Sequence, residues 1–181
     1  MGKRETLKKI RQMSPEEQKQ LIMEIEETAC SNAKAYHGCS QWTLYALQEH
    51  LNLGNRAVFR ASSALAGGVA ESGEVCGALI GGLMAVGLAY GRSKLESVET
   101  SSEFSEAMER SARVCDGFKN EFGSLRCRDV QKAIFGKSWD LRNPEEKNEF
   151  LSREDIDKCG DMLIKKVARL VAEVILEPPF S

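Results

Sequence analysis

The stretch GEVCGALIGGLMAVGLAYG, Gly73 to Gly91, limits the architectures open to this chain more than any other segment. It is uncharged from Val75 to Gly91, holds six glycines, and carries Cys76 near its front. Its uncharged run falls short of the roughly 20 residues that span a bilayer, and dense glycine lowers its hydrophobicity further. No second apolar run accompanies it. The reading that remains is a helix buried on all sides within a helical domain. Glycine in a helix interior costs about 1 kcal/mol relative to alanine, so several together need a physical reason. Gly77 and Gly81 have the GxxxG spacing, and Gly82, Gly87 and Gly91 extend the small surface. Close approach of a neighbouring helix is the expectation for the glycines beyond Gly82. Beside Cys76, room for a cofactor is a second reason, compatible with the first.

The rest of the chain reads as a row of helices. Ser14-Pro15-Glu16-Glu17 is a capping box with proline at the first helical position, and it opens a helix from Ser14 to Tyr36. His37-Gly38 breaks that pattern. Further helices are expected from Ser40 to Leu51, from Arg56 to Ala66, from Ser101 to Phe122 and from Arg128 to Phe135. Asn143 caps another over Pro144 to Leu151, and the last runs from about Glu154 to Leu176 before Pro178-Pro179. No stretch alternates as a strand does, and only four prolines occur. The expected fold is all-α, a single-domain bundle of about six to eight helices around a buried glycine-rich central helix.

With 181 residues, 42% hydrophobic and 29% charged, the chain suits one globular domain. A net charge of -2 with no basic run argues against a nucleic-acid surface. The start, MGKRETLKKI, lacks the apolar core of a secretory signal. It meets the loose pattern for myristoylation of Gly2, but reads more simply as the basic, solvated start of a helix. The chain is therefore expected in a reducing cytoplasm, where six cysteines point to metal ligation or thiol chemistry rather than to disulfides.

The cysteines are Cys30, Cys39, Cys76, Cys115, Cys127 and Cys159, and no two form a C-x-x-C pair. Cys39, Cys76 and Cys127 each fall at an expected helix start. A helix N-terminus presents free N–H groups and partial positive charge, which lower a thiol pKa and favour a thiolate or an anionic cluster. A buried cysteine is also a small apolar residue that packs well near glycine turns, so this placement alone leaves both readings open. His37, two residues before Cys39, is a candidate ligand or a solvent-exposed residue at a helix break. His50 suits a helix C-terminus. Glu74 is a candidate proton relay or a cap, Arg128 and Asp129 serve the helix start after Cys127, and Trp42 and Trp139 are expected in the core or an interface.

GEVCGALIGG resembles the CGAxxG motif of a redox-active protein family named for the pattern C…GCAxxG…C…C. The similarity runs from about Tyr36 to Val174 and takes in HGCSQ, GSLRCRDV and DKCGDMLIKKVARLVAEVI. Residues 1–35 then form an N-terminal helical extension of the same domain. The resemblance maps the four family cysteines onto Cys39, Cys76, Cys127 and Cys159, and leaves Cys30 and Cys115 outside. The family is mostly bacterial and archaeal and is related to the C-terminal part of split-Soret cytochromes, which bind haem and an iron–sulfur cluster. This chain lacks the haem-attachment motif, so only the cluster half of that relationship applies. What the resemblance implies is a redox protein in which Cys39, Cys76, Cys127 and Cys159 bind an iron–sulfur cluster and pass electrons to a partner protein. Two rivals are a metal-free dithiol protein and a non-redox helical interaction protein with structural zinc. The glycine-lined and last helices also offer apolar surface for a homodimer.

Overall fold

The computed structural model describes residues 3–178, so Gly2 and Pro179 lie outside the described residues. Nine α-helices are present among these residues, somewhat more than the sequence suggests, and none of the residues belongs to a strand. They are α1 (Lys3–Arg11), α2 (Pro15–Ala35), α3 (Cys39–Leu51), α4 (Arg56–Ala61), α5 (Gly77–Tyr90), α6 (Ser102–Phe122), α7 (Cys127–Phe135), α8 (Pro144–Leu151) and α9 (Lys165–Leu176). No described helix is long and apolar enough to cross a membrane.

The caps follow the local chemistry. Ser14 and Glu17 close the capping box of α2, with each side chain bonded to the other's backbone N–H. Asn143 accepts from the Glu145 and Glu146 N–H groups to start α8, and Gly123 ends α6 in the left-handed region. The α5 helix is the centre of the fold, packed by α3, α6 and α9, while α2 lies across α3 and α9. Leu44, Leu47, Leu79, Val86, Val114, Phe118, Ile164 and Val171 are fully buried there. Ile25 and Ala29 of α2 are equally buried, so the N-terminal extension is part of the core. The α1 helix is not simply solvated, because Leu7 and Ile10 form a buried pair on one face. Its Arg11 guanidinium donates to the Tyr90 hydroxyl and to the Ile175 carbonyl.

The glycines of α5 divide differently from the expectation. A Cβ at Gly77 would lie 2.5 Å from the Cys39 sulfur, one at Gly81 would run into the Ser40 backbone, and one at Gly82 would lie 2.5 Å from Val171 Cγ2. Close approach is therefore needed at the front of the helix. Beyond Gly82 no neighbouring helix accounts for the glycines: nothing lies within 4 Å of a Cβ at Gly87, and the nearest atoms to one at Gly91 belong to Gly87 of the same helix. The apolar faces of α5 and α9 are covered within the chain, which removes the surface argument for a homodimer.

Two segments depart from the expected helices. The last helix does not start at Glu154. Residues 154–157 form turns, a π-helical segment covers Cys159–Ile164, and α9 follows. The helix starting at Arg56 gives way to a 3-10 turn at Ser62–Leu65, then to a left-handed turn. Gly67 and Gly68 enter that turn with φ of +64° and +77°. Val69, Ala70 and Glu71 continue it at +62°, +49° and +62°. Backbone bonds from Ala70 N–H to Ala64, from Glu71 N–H to Ala66 and from Gly73 N–H to Gly67 hold it closed. Each non-glycine residue in this region costs roughly 1–2 kcal/mol. Ala70 is exposed, so replacing it with glycine loses little burial. Set against the ~0.5–1 kcal/mol entropic cost of glycine, Ala70→Gly is expected to raise stability by about 0.7 kcal/mol. That corresponds to about 2 °C in the thermal midpoint. A midpoint that falls in calorimetry would show that this turn carries no strain.

Candidate functional site

Cys76 and Cys127 are brought side by side by a short backbone pairing. Val75 and Arg126 form an isolated antiparallel bridge. Around it the Cys76 N–H donates to the Leu125 carbonyl at 2.8 Å, and the Cys127 N–H to the Glu74 carbonyl at 2.6 Å. Arg128 fastens the pairing from outside, donating to the Ser72 and Gly73 carbonyls at 3.2 Å and to the Glu74 carboxylate at 2.5 Å. Each cysteine thus leaves the bridge at the beginning of a helix: Cys76 caps α5 and Cys127 opens α7.

Cys39 opens α3 after Gly38, whose φ of +121° few other residues adopt. Gly77, having no side chain, leaves space for its sulfur. Gly68 does the same for Cys127, since a Cβ there would lie 2.7 Å from the Cys127 Cβ. Cys159 is the first residue of the π-helical segment. All four cysteines line one cavity of about 280 Å³. Trp42, Val130, Ile134, Phe135, Phe150 and Leu163 form part of its apolar wall, and His37, Gln131 and the Glu71–Lys147 ion pair are among its polar lining.

One wall is a cap built from α7, α8 and their connection. Trp139, Leu141 and Phe150 form a small core of their own there, with the Trp139 and Phe150 rings 5.2 Å apart. The cap is tied to the strained turn by the Arg142 Nε–H donating to the Ala70 carbonyl at 3.0 Å, and by Lys147 with Glu71 at 2.6 Å.

The electrostatics separate these four thiols from the other two. Burial is the main influence on each, and it pushes Cys39 up, Cys76 well up, and Cys127 and Cys159 to about 12. The four thiols also repel one another as anions: every pairing among Cys39, Cys76, Cys127 and Cys159 contributes to the rise of at least one partner. The expectation that helix N-termini lower the pKa values of Cys39, Cys76 and Cys127 is therefore overturned, because loss of water outweighs the dipole. The N–H groups do act in the opposing direction. Those of Gly67, Ser40 and Ala78 favour the Cys39 thiolate, and those of Ala78 and Leu79 favour that of Cys76. Cys30 is apart from this group, with its thiol donating to Asp161 at 3.2 Å. Cys115 answers only to its own burial and to Asp116.

The weaker candidates are placed as follows. His37 is exposed at the edge of the cavity, and His50 bonds to the Thr28 hydroxyl at 2.8 Å, away from it. Glu74 is exposed and engaged by Arg126 and Arg128, and Asp129 accepts from the Ser124 hydroxyl. Trp139 is buried in the cap, while Trp42 lines the cavity with its indole N–H buried and unpartnered. Gln131 was not picked out from the sequence. It lies one turn after Cys127 and is 5% exposed, with its amide nitrogen 3.7 Å from the Cys127 sulfur. An uncharged polar residue on the apolar face of α7, one turn from a cysteine, was the available signal.

No curated protein and no solved structure matches the chain. A family model described as "Putative redox-active protein (C_GCAxxG_C_C)" matches residues 37–174, which include all four cavity cysteines. The chain belongs to this C_GCAxxG_C_C family of redox-active cysteine proteins.

Proposed function

We propose that the protein is an electron carrier in which Cys39, Cys76, Cys127 and Cys159 hold an iron–sulfur cluster. The observation that carries this reading is the sorting of the cysteines. Four of six share one apolar cavity, each arriving from the start of a different helical element. Four thiolates complete the ligand set of a cluster. When bound, the cluster supplies one-electron redox chemistry. The chain's own contribution is to hold the four sulfurs, to set N–H groups of Gly67, Ala78 and Leu79 where they favour two of the thiolates, and to cover one side of the site with the aromatic cap. Mutual repulsion among four neighbouring thiolates is the cost of this arrangement, and a cationic centre among them reverses it.

The rivals fit less well. A dithiol mechanism with Cys39 or Cys76 attacking needs a thiolate near neutral pH, whereas burial pushes the Cys39 thiol up and the Cys76 thiol well up. A structural zinc needs its ligands drawn around one ion at about 2.3 Å from each sulfur. Among the described residues no three histidine, cysteine or acidic side chains converge in that way. A cluster, with several atoms at its centre, holds its ligands further apart. A reducing compartment such as the cytoplasm suits the six thiols, and a redox partner protein would exchange the electron.

Anaerobic purification, followed by an absorption spectrum and by iron, sulfide and zinc analysis, tests the reading. The expected protein is brown and holds iron and sulfide in near-equal amounts. A colourless protein holding zinc alone would support the structural-zinc rival. One holding no metal, with a reversible disulfide trapped by acid-quenched alkylation, would support dithiol chemistry.

A further inference from the structure

Nearby backbone N–H groups favour the thiolates of two of the cavity cysteines, and these cannot be removed by changing a side chain. For Cys39 they come from Gly67, Ser40 and Ala78, and for Cys76 from Leu79 and Ala78. Cys127 is served differently. Its hydrogen-bond donor is the side chain of Gln131, with the amide nitrogen 3.7 Å from the sulfur.

The orientation of this amide is fixed by its other end. The Gln131 side-chain oxygen accepts the backbone N–H of Trp139 at 2.9 Å. Turning the amide over would set its NH₂ group against the Trp139 N–H, donor against donor, with the oxygen facing the sulfur. Gln131 is 5% exposed, so water cannot repair that mismatch. A buried amide is costly to leave unpaired, and its retention on the apolar face of α7 needs a partner at each end. Both are present: the backbone of the cap on one side and a cavity sulfur on the other.

We infer that Gln131 is a positioning residue that tunes the redox site, holding an N–H on the Cys127 sulfur and joining that sulfur to the seating of the cap through Trp139. The inference rests on the cluster reading above. A donor on a ligand sulfur draws off negative charge, which favours the reduced, more negative state and raises the reduction potential.

Gln131→Met removes the donor while keeping length and apolar contact. Gln131→Glu keeps an acceptor for the Trp139 N–H and presents an oxygen to the sulfur in place of the donor. Both are prepared anaerobically beside the wild type, with iron and sulfide measured per chain and the midpoint taken from a mediated spectroelectrochemical titration. The expected order of midpoints is wild type above Gln131→Met above Gln131→Glu. At the wild-type midpoint the reduced-to-oxidised ratio of Gln131→Met falls about tenfold, which is about 59 mV for a one-electron couple. Wild-type iron and sulfide content with an unmoved midpoint in both variants would overturn the role of Gln131 and leave the cluster reading standing. A wild-type protein with no iron or sulfide would overturn both.

Discussion

Gly81→Ala is expected to lower the thermal midpoint by about 6 °C, and Gly87→Ala, on the same helix, to raise it by about 3 °C. The chemistry added is identical and the surroundings decide the sign. A methyl group at Gly81 meets the Ser40 backbone, with the carbonyl carbon 3.0 Å away and the carbonyl oxygen closer still. Backbone cannot step aside as a flexible side chain does. Ser40 is also pinned by its own hydroxyl, which donates to the Ser62 carbonyl at 2.8 Å. Overpacking of this kind costs about 3 kcal/mol, set against about 1 kcal/mol gained from the better helix propensity of alanine. At Gly87 nothing lies within 4 Å, and the propensity gain stands alone. The displaced segment at Gly81 is the start of α3, so the same substitution moves Cys39 within the cavity. Thermal scans of the two single variants measure the contrast. Equal shifts of either sign would mean that α3 and α5 are not in backbone contact at this point.

The front of α5 also shows what could be read in advance. GxxxG spacing and a cysteine in the first turn marked Gly77, Gly81 and Cys76, because the dense glycine needed a physical reason. The Ser14–Glu17 capping box and the Asn143 cap were legible because each is a local hydrogen bond. The run from Gly67 to Glu71 was not. Gly67-Gly68 announces a turn, but nothing in Val69 or Ala70 says that the left-handed conformation continues, since both residues disfavour it. Long-range hydrogen bonds and the Arg142 and Lys147 ties impose it. The π-helical segment was likewise hidden, because apolar periodicity from Ile156 onward is compatible with an ordinary helix. As for the site, three helix-start cysteines could be seen in the sequence, while the inclusion of Cys159 came from family resemblance. Gln131 carried one weak signal, a polar residue on an apolar face one turn from a cysteine, and the partners at both ends of its amide gave that signal its meaning.

The sorting of six cysteines into four and two is the centre of this account, and six single cysteine-to-alanine variants test it. Loss of one ligand from a four-thiolate set leaves an open position on an oxygen-sensitive group, so most of the iron is expected to be lost. Cys30 and Cys115 take no part in the cavity. Cys30→Ala gives up a thiol bonded to an exposed aspartate, and Cys115→Ala a partly buried thiol near Asp116. Neither thiol lines the cavity, although Cys30 packs beside Gly160, the neighbour of Cys159. The measurement is iron and sulfide per folded chain after identical anaerobic preparation, with circular dichroism reporting that each variant is helical. Cys39→Ala, Cys76→Ala, Cys127→Ala and Cys159→Ala are expected to retain less than about a fifth of the wild-type iron, and Cys30→Ala and Cys115→Ala nearly all of it. Full iron retention in Cys76→Ala, or loss of iron in Cys115→Ala equal to that in Cys76→Ala, would contradict the account.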